Sequence, residues 1–263
     1  MLAMEPTASK EVAPARPAST VLLVRDSADG MEVFMVVRHH QIDFASGALV
    51  FPGGSIDKED FTIAADHACC GGDHGLDEKA RAFRVAAVRE TFEECGVLLA
   101  RPRGSTALVS GARAEEIAKK AAGKSFGELL AAEELELALD QLTPFAHWIT
   151  PTPLPKRLDT HFFIAAAPED QLALHDGSES VDSVWINPAR ALADAKTGKY
   201  TIIFATRLNV EMLGRQNDVV AAVEAARTRT IVTVQPEVLR RDDKGVKLKI
   251  PLEAGYGGDV FES

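Results

Sequence analysis

Residues 79–95 read KARAFRVAAVRETFEEC, and Gly96 follows. Ala80, Phe83, Ala87, Val88, Thr91 and Cys95 recur at helical spacing, and Gly96 stands where a left-handed residue commonly ends a helix. On that helix Glu90, Glu93 and Glu94 fall at i, i+3 and i+4, so they share one face. Like charges at this spacing repel by roughly 0.2–0.5 kcal/mol per pair. The negative end of the helix dipole disfavours each carboxylate by roughly 0.3–1 kcal/mol more. Arg89 can reach Glu93 one turn on, but one guanidinium does not neutralise three carboxylates. The remaining oxygens suit a hard divalent cation such as Mg²⁺ or Mn²⁺; the bland alternative is a solvated acidic face.

The chain must bury this helix, and it has the means. It has 263 residues, 46% of them hydrophobic, and lacks an apolar run near the ~18 residues of a membrane span. Residues 1–18, rich in Pro, Ala, Ser and Thr, read as a disordered tail without the apolar centre of a secretory signal, and residues 19–263 as one domain. Three cysteines fit a reducing cytoplasm. A net charge of −10 argues against nucleic-acid binding, and a phosphate ligand would need a metal between the two negative partners.

Runs 19–26 and 31–39, split by SADG, read as paired strands, and LVFPGG ends a third. A helical region is expected over about 113–142, with Ser125 and Glu128 as a capping box. HFFIAAA and SVWI read as strands. Asn187 caps a helix with Pro188 in its first turn, two more helices follow, and DDKG turns a final hairpin. The order predicts an α/β domain layered around a mixed sheet.

In FPGG (51–54), a Pro followed by two glycines allows a tight turn and close backbone approach to a ligand. Combined with RETFEECGV (89–97), the pattern resembles the Nudix hydrolases, whose signature is G-x(5)-E-x(7)-R-E-U-x-E-E-x-G-U, with U aliphatic. Gly54, Arg89, Glu90, Glu93, Glu94, Gly96 and Val97 match, while Thr91 takes an aliphatic position. Gly54 and Glu90 are 36 positions apart where the signature has 15, so 21 residues are inserted. Counted back from Arg89, the signature's first glutamate falls on Arg81, and Asp57 or Glu59 could substitute only if the insertion loops out and returns.

The resemblance implies a Nudix fold, an α/β/α sandwich around a mixed sheet, with helical insertions at about 58–78 and 104–142. It also implies Mg²⁺- or Mn²⁺-assisted cleavage of a nucleoside diphosphate derivative. Glu90, Glu93 and Glu94 would hold metal with a carbonyl near Gly54, Arg89 would orient them, and Glu179 is the candidate general base. Within the family the chain is similar to the peroxisomal-type coenzyme A diphosphatases and their bacterial relatives. Their upstream pattern is kept at Arg38, Gly47 and FPGG, which makes Arg38 and Gly53 candidate substrate contacts; Asp43 and His39 depart from it. Other nucleoside diphosphate derivatives, such as ADP-ribose or a nucleotide sugar, and a non-catalytic nucleotide binder are the alternatives. Dimers are common in the family, so a homodimer is possible by analogy. The stretch His67, Cys69, Cys70, His74 is a second, poorly spaced zinc candidate.

Overall fold

The structure, a computed structural model, describes residues 13–38, 47–73, 75–152, 154–171, 173, 180–243 and 245–262. In chain order they form β1 (Ala15–Ser27), β2 (Gly30–Arg38), β3 (Leu49–Val50), β4 (Gly53–Ser55), α1 (Lys58–Ala65), β5 (Cys70–Gly71) and α2 (Glu78–Cys95). Next come β6 (Ala100–Pro102), α3 (Gly111–Lys120), α4 (Phe126–Ala132), β7 (Leu135–Ala138), β8 (Thr143–Ile149), β9 (Arg157–Ala166) and β10 (Ser180–Ile186). The rest is α5 (Pro188–Lys196), α6 (Phe204–Leu213), α7 (Val219–Thr228), β11 (Thr233–Val234), β12 (Glu237–Asp242), β13 (Gly245–Lys249) and β14 (Val260–Glu262).

The main sheet runs β10-β2-β1-β9-β8-β11, with β3 on β2 and β4 on β1. It is mixed, because β1 pairs with β9 and β8 with β11 in parallel while the other pairs are antiparallel. Strand β1 carries an unbroken apolar run because both of its faces are covered. Val21 and Leu23 pack with α2, while Leu22 and Val24 pack with α6 and α7. Two helical layers therefore enclose the sheet, which is the expected α/β/α sandwich. Between Ala82 and Val88 helix α2 is buried almost all round except at Arg84, because the elements of the insertion cover the side that the sheet does not.

Three expectations change. The sheet begins at Ala15, so residues 15–18 belong to β1 rather than to a tail. Pairing of Ala15–Ala18 with Arg157–Thr160 satisfies their backbone, and Arg157 donates to the Ala13 carbonyl at 2.7 Å. The helical region of 113–142 breaks after α4. Its capping box is present, but Glu134 takes φ 52, and Leu135 and Leu137 then alternate inward as β7. Period two wins over helix propensity there because β5 and β6 offer a sheet edge. Finally, Gly53 and Gly54 are not a free turn but strand β4, paired with Thr20 and Ser19. Among the described residues no helix is long and apolar enough to cross a membrane.

Candidate active site

Helix α2 is started by Asp77, whose side chain accepts from Ala80 N, and ended by Gly96 at φ 71. That fixes Arg89, Glu90, Glu93 and Glu94 on its last turns, against β4. Arg89 is buried and spends its whole fork. Nε and Nη2 donate to the two carboxylate oxygens of Asp60, each at 2.9 Å. Nη1 donates to Glu90 and Glu93, both at 2.9 Å, and Nη2 also reaches the Ser55 carbonyl at 3.1 Å. Burial opposes charge on Arg89, but the hydrogen bonds to Asp60 and the surrounding carboxylates more than offset it and raise its pKa.

Asp60 is the residue that the sequence reading missed. It is fully buried and stands six positions after Gly54, where the signature places its first glutamate. Counting forward from Gly54 finds it; counting back from Arg89 crosses the insertion and lands on Arg81. Arg81 instead pins the insertion, donating from Nε to the Ala64 carbonyl at 2.8 Å and from Nη1 to that of Leu76 at 2.7 Å. Asp57 caps α1, and Glu59 accepts from Gly127 N at 2.9 Å, so neither replaces the glutamate. Thr91 packs inside and donates its hydroxyl to the Ala87 carbonyl at 2.7 Å.

The two glycines of FPGG have separate reasons. A Cβ on Gly53, at φ 152, would overlap the Ser19 carbonyl of β1. One on Gly54 would sit 2.6 Å from the Glu90 carboxyl. Gly53 N also donates to Glu94 Oε2 at 2.8 Å. The structure thus brings Arg89, Glu90, Glu93, Glu94, Gly53 and Gly54 together. Arg38 ends β2 opposite Ser180, but its side chain, like Glu179, lies outside the described residues.

Burial pushes the Glu90 carboxyl up to about 7 despite Arg89, with Glu93 and Asp60 adding to the rise. Glu93 is raised for the same reason. A stack of carboxylates held partly out of water, against glycine backbone, is a donor set that fits a hard divalent cation.

A cleft of about 700 Å³ opens from Gly53, Gly54 and Glu94. Phe51, Trp148, Phe162 and Phe204 line it, and Arg16, Lys156 and Arg241 add positive charge. None of these three cations was singled out in the sequence, because they come from three distant segments.

A family model described as the NUDT19 Nudix domain matches residues 72–205, half of the chain. The chain belongs to the Nudix hydrolases. Nudix hydrolases act on diphosphate bonds and generally use divalent metals. A relative named putative nudix hydrolase 7, from Caenorhabditis elegans, is 28% identical over 65% of this chain and 51% of its own length. The acyl-coenzyme A diphosphatase NUDT19 of Xenopus laevis is 25% identical over 65% of this chain and 56% of its own length. The chain spans about half the length of these curated relatives. A crystal structure of a NUDIX hydrolase from Alicyclobacillus acidocaldarius superposes with a TM-score of 0.66 at 26% identity, covering 81% of this chain and 96% of that one.

The Nudix glutamates carry a pH prediction. In the metal-free protein Glu90 holds its proton to about 7, whereas an unfolded glutamate releases it near 4.5. Between those values the folded state binds more protons, so stability falls as pH rises, by an amount on the order of 2–3 kcal/mol. Thermal melts of metal-free protein should lose Tm between pH 5 and pH 8, and Mn²⁺ should recover most of it at pH 8. A melting point independent of both pH and Mn²⁺ would remove Glu90 from the metal set.

Proposed function

We propose that this Nudix protein hydrolyses the diphosphate of coenzyme A or of an acyl-coenzyme A. The observation that carries the reading is the cleft. Its acidic, glycine-floored end with Glu94 continues into an apolar and aromatic wall edged by Arg16, Lys156 and Arg241. The wall suits a pantetheine or acyl arm and the cations suit phosphates. The name of the Xenopus laevis relative, an acyl-coenzyme A diphosphatase, agrees with it.

In this reading Glu90, Glu93 and Glu94, with backbone near Gly54, hold Mg²⁺ or Mn²⁺. When bound, the ion would supply positive charge that neutralises the diphosphate. Arg89 fixes the glutamates through its bond to Asp60, and the Gly53 N–H holds Glu94 in place. Arg38 and Gly53 contact the substrate. Water adds to one phosphorus, the anhydride P–O bond breaks, and the water proton passes to a base, for which Glu179 is the candidate. The products are 3′,5′-ADP and a 4′-phosphopantetheine.

The test is product analysis after incubation with Mg²⁺ or Mn²⁺ and, separately, coenzyme A, ADP-ribose, NADH and a nucleotide sugar. Release of 3′,5′-ADP from coenzyme A, with the other compounds slower, is the expected result. Faster cleavage of ADP-ribose or the nucleotide sugar would make the protein a hydrolase of another nucleoside diphosphate. No turnover of any of them would overturn the catalytic reading in favour of a nucleotide-binding role.

A further inference from the structure

The sheet face opposite the cleft holds a second group of metal-ligating side chains. His147 of β8 stands directly across from His161 of β9, and Asp159 lies two residues before His161 on the same face. The donor atoms of all three fall within 4.8 Å of one another, and each residue is half-buried. His147 Nε2 lies 2.5 Å from Asp159 Oδ1, and its Nδ1 lies 2.8 Å from the Thr233 hydroxyl on β11. The His147 and His161 rings stack at 4.1 Å, and Phe83 of α2 lies 4.0 Å from the His161 ring. Among the described residues no protein group hydrogen-bonds the His161 ring, a half-buried imidazole beside the His147–Asp159 contact.

We propose that His147, Asp159 and His161 form a zinc site distinct from the Nudix glutamates. Two imidazoles and one carboxylate are the ligands of a three-coordinate protein site for Zn²⁺ that leaves a fourth position open. Nitrogen donors disfavour Mg²⁺, so the two sites select different ions. Thr233 engages the second nitrogen of His147, as an outer-shell partner does when it sets a ligand's tautomer and orientation. Lys79 and Arg84 stand near His161 and weaken its hold on a cation; the same charge favours an anionic fourth ligand such as hydroxide or a carboxylate. The ligands sit inside paired strands, and their neighbours Trp148, Thr160 and Phe162 line the cleft on the other face. Zinc here would clamp the wall of the substrate cleft.

The experiment titrates Zn²⁺ into metal-stripped full chain carrying Glu93→Gln and Glu94→Gln, which cripples the glutamate site and leaves this one intact. One Zn²⁺ per chain is expected, and His147→Gln, His161→Gln and Asp159→Asn, added singly, should each weaken it at least about tenfold. Co²⁺ in the same double variant should give the intense visible bands of tetrahedral coordination rather than the weak bands of octahedral oxygen ligation. This spectrum needs no ligand variant, and the absence of thiolate charge-transfer bands separates this site from one at Cys69 and Cys70 even where a substitution unfolds the chain. Absence of zinc binding, binding unchanged in all three ligand variants, or only weak octahedral bands would overturn the site. None of these outcomes depends on coenzyme A hydrolysis, so the two proposals fail separately.

Discussion

Replacing Glu94 by Gln is expected to lower kcat/KM for the diphosphate substrate by about 10²–10⁴ while leaving the fold intact. The substitution is nearly isosteric, and a glutamine oxygen still accepts from Gly53 N, now 2.8 Å from Glu94 Oε2. What disappears is one negative charge and one hard donor at the acidic end of the cleft. Metal stabilisation of a transition state is worth several kcal/mol, and each 1.36 kcal/mol is a factor of ten. Steady-state kinetics should therefore show the loss in kcat, partly recovered at high Mn²⁺, with a melting temperature close to that of the parent. Full activity in a folded Glu94→Gln protein would exclude Glu94 from the metal set.

Arg89→Ala should be the most destabilising single change at the site, by about 3–5 kcal/mol. The reason is what it strands. Asp60 is fully buried and receives both of its charged hydrogen bonds from Arg89, while Glu90 loses the neighbour that restrains its rise. A buried carboxylate left unpaired is worse than no carboxylate, so Asp60→Leu added to Arg89→Ala should regain stability rather than lose more. Urea unfolding of the four proteins of this cycle measures the coupling. Additive losses would show that the pair does not hold the helix to α1.

Much of the candidate site was legible because its residues sit on one helix. Spacing alone put Glu90, Glu93 and Glu94 on a common face, and the expected stop at Gly96 is present. Asp60 was harder. Its partner lies 29 positions downstream, and only the forward count from Gly54 aligns it with the signature. The cleft cations Arg16, Lys156 and Arg241 carry no local pattern, since β1, the segment before β9 and β12 meet only in three dimensions. The same holds for the pairing of His147 with His161, which needs the register of β8 on β9. Strand β7 reads as helix in sequence because Leu, Glu and Ala serve both periods, and the deciding feature, an open sheet edge, is tertiary.

The insertion between Asp60 and Arg89 also bears on how such proteins can be built. Lengthening that connection from the signature's eight steps to 29 raises the entropy of closing it by only about 1 kcal/mol. A single bidentate ion pair offsets that, and Arg81 anchors both ends of the added segment to backbone carbonyls. The helix that carries the glutamates is in this sense insulated from whatever its middle connection carries. Exposed Gly75, where an added Cβ would meet nothing within 4 Å, is accordingly a port at which further sequence, a tether or a reporter domain, can be spliced without moving the glutamates.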